Sequence, residues 1–150
     1  MSVYVDTSCL LKLLVFERES GDVRDAVAAA DDVVVSSLAR LEAEVRLHGA
    51  YLGGRFRARQ WKAYRDKLED LLALAPFREC SLAGSVFHTA LDQVRGAEKT
   101  QCRSLDRLHL AAMQELRLKH LLTHDDGQAA AAKALGYRVD SPGRSLGLPT

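Results

Sequence analysis

Four short runs of β-forming residues, Val3-Tyr4-Val5, Val33-Val34-Val35, Leu121-Leu122-Thr123 and Tyr137-Arg138-Val139, stand apart in a chain that otherwise reads mostly as helix. The first three runs do not alternate apolar with polar, as a strand with one wet face does. Strands this uniformly apolar are buried on both faces, and the long helical patterns between them supply the cover. The expected fold is therefore α/β, a central parallel sheet flanked by helices. The helices are read over residues 38–51, 55–75, 84–95 and 128–135, with one more starting near Cys9 and one capped by Ser104. In the last of these, Leu105, Leu108, Ala112 and Leu116 share a face. Ligands of such sheets sit beyond the carboxyl ends of the strands.

That rule selects four acids. Asp6 follows the first strand, and Asp125 lies two residues beyond the third. Glu42 is on the helix leaving the second strand, and Asp106 is in the first turn of its helix. Converging carboxylates repel one another, and a cation relieves the repulsion. Oxygen-only ligands suit a hard ion, Mg²⁺ or Mn²⁺, which activates water and stabilises charge on a phosphoryl group. Each acid alone has a plainer reading. Asp6 and Asp125 can cap the following helices, Asp106 can favour a helix dipole, and Glu42 can be a solvated helix charge. The joint pattern carries the functional reading.

The segments VYVDTSCLLKL, SSLARLE, RSLDRLHLAA and LLTHDDGQAAAAKALGYRV resemble the signature segments of PIN-domain nucleases, and more narrowly of VapC-type toxins, in order and spacing from about residue 3 to 143. The resemblance implies a single α/β/α PIN-like domain over 1–143, followed by a loose tail over 144–150. It implies an acidic, Mg²⁺-dependent endoribonuclease site, with Mn²⁺ as a substitute. Asp6, Glu42, Asp106 and Asp125 match the four acidic positions. Asp6, Asp106 and Asp125 would hold the metal directly or through water, and Glu42 would complete the shell or help activate the attacking water. Ser8 and Thr123 match small polar positions that orient the site. The implied partners are RNA, a VapB-type antitoxin whose tail occludes the groove, and a second copy of the chain in a homodimer. The doubled acid Asp125-Asp126 departs from the pattern. Asp126, at the turn into the Ala-rich helix, is expected to cap it while Asp125 faces the sheet edge.

Other residues carry two readings. His109, three positions after Asp106, either orients a carboxylate or makes a structural hydrogen bond. The segment Arg55–Lys67 sets six basic residues against Asp66, a net of +5, with Phe56, Trp61 and Tyr64 interleaved. It reads either as an RNA track through Arg57, Arg59 and Lys62 or as an amphipathic helix whose aromatics pack inward. Arg103 and Arg107 flank Asp106 and either bind phosphate or balance its charge. Lys12, one turn past Ser8, has the same two readings.

Composition narrows the alternatives. With 21 basic and 20 acidic side chains the net charge is +1, so any pull on nucleic acid is local. No apolar run is long enough to span a bilayer, and the start lacks the basic region of a signal peptide. Cys9, Cys80 and Cys102 have no metal-ligand spacing and suit a reducing, cytoplasmic setting as packing residues. An aspartyl-phosphate phosphatase needs a second Asp where Ser8 stands. A phospho-receiver needs an acceptor Asp after a middle strand, where Ser36 stands. A non-catalytic PIN-like module that binds protein or RNA is the remaining alternative.

Overall fold

Each of the four β-forming runs lies within one residue of a strand in the computed structural model, which describes residues 1–97 and 99–144. The elements run β1 (Ser2–Val5), α1 (Thr7–Leu14), α2 (Ser20–Ala28), β2 (Asp32–Ser36), α3 (Ser37–Leu52), α4 (Ala58–Leu72), β3 (Phe77–Cys80), α5 (Val86–Gly96), α6 (Ser104–Glu115), β4 (His120–Leu122), α7 (Asp126–Ala134) and β5 (Arg138–Asp140). The sheet order is β3-β2-β1-β4-β5, and every pairing is parallel. The chain winds outward from β1 through β2 to β3, then returns to place β4 on the other side of β1. The switch point falls between β1 and β4, where a crevice opens beyond the strand ends.

The pleat explains the unbroken apolar runs. Val3, Val5, Val33, Val35 and Leu122 face one core with Leu10, Leu13, Leu47 and Leu68. Tyr4, Val34 and Leu121 face the other with Leu110, Met113 and Ala131. Successive side chains point to opposite faces and helices cover both, so every position of the runs 3–5, 33–35 and 121–123 is buried.

Several elements depart from the sequence expectations. β3 follows Pro76, where the sequence predicts only a helix end. It is an edge strand whose central Arg78 and Glu79 are exposed, so it lacks the apolar signal of the inner strands and carries the charges that protect an edge. α2 was not anticipated. It buries only Ser20, Val23 and Val27 and has little apolar periodicity to read. The helix expected from residue 55 begins at Ala58, after a turn in which Gly54 takes φ +80°. Ser104 is the first residue of α6 rather than its cap; Arg103 is the N-cap, with no side-chain cap bond. Of the expected tail, residues 145–150 lie outside the described residues. Arg144 is held, with Nη1 on the carbonyl of His124 and Nε 3.7 Å from Glu19.

Candidate active site

A cleft of about 410 Å³ opens at the switch point, and Asp6, Glu42, Asp106 and Asp125 all line it. Chain order separates these acids by up to 119 positions; the parallel sheet delivers them to one edge.

Asp6 ends β1 and caps α1. Its Oδ1 accepts from the Cys9 amide at 3.0 Å and the Ser8 hydroxyl at 2.6 Å, and its Oδ2 accepts from the Thr123 hydroxyl at 2.5 Å. The capping and functional readings of Asp6 thus describe one geometry. Burial pushes its carboxyl above the ordinary value, against the pull of the Ser8 and Thr123 hydrogen bonds. Ser8 and Thr123 fasten the two strand ends together. The Ser8 hydroxyl accepts the His124 amide at 2.9 Å, and that of Thr123 accepts the Asp125 amide at 2.9 Å.

Glu42 projects from α3. Its Oε1 accepts from Thr7 Oγ1 at 2.8 Å and lies 2.6 Å from His109 Nε2. An ionised carboxylate only accepts, so this nitrogen carries the proton. The other ring nitrogen, Nδ1, lies 2.7 Å from the Tyr4 hydroxyl, and Tyr4 donates to Ser36 Oγ at 2.8 Å. Burial opposes ionisation of Glu42, but the His109 hydrogen bond and charge, with the Thr7 hydroxyl, hold its carboxyl below the ordinary value. His109 therefore satisfies both readings: it makes a buried structural bond, and through it orients a cleft carboxylate. Sequence reasoning missed Thr7, Tyr4 and Ser36. Tyr4 reads as core, and nothing local signals a bond 105 residues away.

Asp106 and Asp125 are joined by one guanidinium. Arg103 Nε donates to Asp106 Oδ2 at 2.9 Å, and its Nη2 donates to Asp125 Oδ2 at 3.0 Å. Arg103 and Asp106, three apart, share a helix face. Arg107 does not: one residue past Asp106 is about 100° around the helix. Its side chain is buried away from the cleft and lines a separate cavity between α5 and α6 with Phe87 and Leu108. The expectation that Arg107 flanks the site is corrected.

The doubled acid is corrected as well. Asp125, not Asp126, caps α7: its Oδ1 accepts the Gln128 amide at 2.8 Å. Asp126 is exposed in the first turn and does not line the cleft. A cap sits one residue before the first helical one, and the helix starts earlier than the sequence reading placed it. The consequence is testable by turnover and chemical denaturation. Asp125→Asn keeps a capping oxygen and should lose activity at nearly constant stability. Asp125→Ala should also lose about 1 kcal/mol. Asp126→Ala should keep its activity and stay within about 0.5 kcal/mol of wild type.

The basic segment splits. Trp61 stacks on Tyr51 (4.5 Å between centroids, 6° between planes), and Phe56 packs edge-on against Tyr64 at 4.9 Å. These aromatics lie against the core, as the amphipathic-helix reading has it. Arg57, Arg59 and Lys62 are exposed outside the cleft lining, and Lys62 pairs with Asp66 at 2.7 Å. The cations that do line the cleft are Lys12, Arg46, Arg55, Arg103 and Arg144. Among the described residues, no three His, Cys, Asp or Glu side chains stand ready-grouped around a metal, and no helix is long and apolar enough to cross a membrane.

The PIN domain family model matches residues 3–134. The chain belongs to the PIN domain family. This PIN domain is 32% identical to Ribonuclease VapC46 of Mycobacterium tuberculosis over 143 residues, covering 94% of this chain and 98% of that protein. It is 30% identical to Ribonuclease VapC47 of the same species, over 94% and 97% of the two chains. Among solved structures, FitAcB of Neisseria gonorrhoeae superposes with a TM-score of 0.73 at 17% identity, over 93% of this chain and 97% of that one. VapC20 of M. tuberculosis, a sarcin-ricin-loop-cleaving toxin, superposes at 0.66 with 16% identity, over 86% and 94%. These two likenesses concern the fold. PIN-domain ribonucleases are generally divalent-metal dependent. The donor set here fits such an ion: it is all oxygen, and Mg²⁺ takes one or two carboxylates and keeps several waters, so no closed protein cage is required.

Proposed function

We propose that this PIN domain is a Mg²⁺-dependent endoribonuclease, the toxin of a VapBC-type pair acting in the cytoplasm, with Mn²⁺ able to replace Mg²⁺. The observation that carries the reading is the set of four acids lining one cleft, in a chain related to named ribonucleases along nearly its whole length. The bound ion would supply an acidified water and charge stabilisation at the phosphoryl group. Asp6, Asp106 and Asp125 would hold it, directly or through water.

Glu42 orients the attacking water and takes up its proton. Both of its hydrogen bonds go to Oε1, which leaves Oε2 for water among the described residues. Thr7 and His109 fix the carboxylate and favour its ionised form. Hydrolysis adds the water oxygen to phosphorus and breaks the P–O3′ bond. A proton goes to the 3′ oxygen, leaving a 5′-phosphate and a 3′-hydroxyl. With Asp106 and Asp125 holding an ion, Arg103 would be released from both and could turn to the phosphate. At 71% exposure its side chain is free to turn. A VapB-type antitoxin would silence the site by covering the cleft, and the toxin is proposed to act as a homodimer.

The test is cleavage of single-stranded RNA by the purified protein with Mg²⁺, followed by end-group analysis. Wild type should cut and leave 5′-phosphate ends, and Glu42→Gln should lose more than about a hundredfold in rate. Folded, metal-loaded protein that cuts no RNA would favour the non-catalytic binding module instead.

A further inference from the structure

Among the described residues lining the cleft, four of the five cations are already engaged. Lys12 is held by Glu17 at 2.5 Å and Glu19 at 2.9 Å. Arg55 pairs with Glu17 at 3.1 Å. Arg103 spans Asp106 and Asp125. Arg144 lies against Glu19 at 3.7 Å and donates to the His124 carbonyl. Arg46 is the exception: it is exposed, lines the cleft, and has no carboxylate within salt-bridge distance and no side-chain hydrogen bond among the described residues.

Its position is fixed by α3. Arg46 follows Glu42 by four residues, one helical turn, so both emerge on the same face. The adjoining Leu47 is buried in the core, which holds this turn of the helix against the sheet. Arg46 also helps, as a minor contribution, to lower the carboxyl of Glu42. A guanidinium on a rigid helix, one turn from the acid assigned to the attacking water, presents a planar pair of donors that no described residue receives. Phosphate oxygens fit that fork bidentately.

We infer that Arg46 is a substrate-binding residue that grips an RNA phosphate neighbouring the one to be cleaved, and so sets the strand across the acidic edge. The inference rests on the ribonuclease reading of the cleft. It also places the RNA path along α3, not along the exposed Arg57, Arg59 and Lys62 of the α4 segment. The electrostatics favour the assignment. The acids at the edge repel a polyanion, and an unpaired cation one turn away offsets that repulsion without occupying the metal position. The other cleft cations would have to break an ion pair to do the same.

The experiment measures binding of a fluorescein-labelled, randomised single-stranded RNA to the full chain in EDTA, so that no cleavage intervenes, across a salt series. Arg46→Gln, Arg46→Lys and Arg59→Gln are compared with wild type. Gln is a good helix former, so the exposed substitutions should fold, and thermal melts check it. Arg46→Gln is expected to weaken binding about tenfold, the loss of one charge-assisted contact. It should also flatten the log–log salt slope by about 0.7, the value for one phosphate contact on a single strand. Arg46→Lys should keep the slope and recover only part of the affinity. With metal present, Arg46→Gln should raise KM far more than it lowers kcat.

Unchanged affinity and slope in Arg46→Gln would overturn the inference, and a loss confined to Arg59→Gln would move the path to α4. A wild type that neither binds nor cuts RNA would overturn the ribonuclease reading and the role of Arg46 with it. Cleavage that is intact in wild type and indifferent to Arg46 removes only the latter.

Discussion

Asp6→Asn is expected to abolish RNA cleavage while raising the melting temperature of the metal-free protein. Asn keeps an oxygen for the Cys9 amide and the Ser8 hydroxyl, so the α1 cap survives. What disappears is the charge. Asp6 is buried, and burial lifts its carboxyl above the ordinary value. A group whose folded pKa lies above its unfolded one contributes stability at acid pH and loses it as pH rises through the folded value. Ionising Asp6 therefore weighs on the metal-free fold, and Asn removes that cost. Denaturation of wild type and Asp6→Asn across the acid range should show the stability gap opening as pH rises. The rate loss should exceed the 10–100-fold typical of residues that only support a metal ligand. A lower melting temperature would mean that Thr123 and Ser8 need the carboxylate itself. Residual activity near wild type would remove Asp6 from the site.

Chelation should have an effect of the same size. EDTA is expected to stop cleavage completely, and excess Mg²⁺ or Mn²⁺ should restore it, because carboxylates select hard ions. The ion should also stabilise the fold. Free metal at a hundred times its Kd contributes about 2.7 kcal/mol, a shift of several degrees in Tm for a chain of this size. That shift needs no RNA, and it should vanish in Asp6→Asn. Arg103 bridges Asp106 and Asp125 in the metal-free protein, so Arg103→Gln should strengthen the metal's stabilisation. Cleavage undiminished in excess chelator would sink the metal mechanism.

The identity of the cleft acids was legible in the sequence because their signals are local. Asp6 is written directly after Val3-Tyr4-Val5, and Asp125 two residues after Leu121-Leu122-Thr123. A strand end is a short-range feature, and a parallel sheet places all its carboxyl ends on one side. Burial on both faces was equally legible, since the pleat turns it into runs such as Val33-Val34-Val35. The edge strand Phe77–Cys80 was not, because half its residues face solvent and apolar burial was the signal being read.

What the sequence by itself determined is four of the five strands, their parallel arrangement and the acids beyond their ends, all consequences of backbone geometry acting over a few residues. Only the tertiary structure decided which groups those acids bond. Asp125 and not Asp126 caps α7, one residue of helix phase that sequence pattern does not resolve. Glu42 is held by His109, 67 positions away, which is in turn held by Tyr4. Among the described residues Arg46 is distinguished from the other cleft cations by having no ion-pair or hydrogen-bond partner, although in sequence it is one arginine among many. Hydrogen bonds and ion pairs form between side chains that topology brings together. Their strength depends on distances of a few ångströms, and chain order does not record those distances.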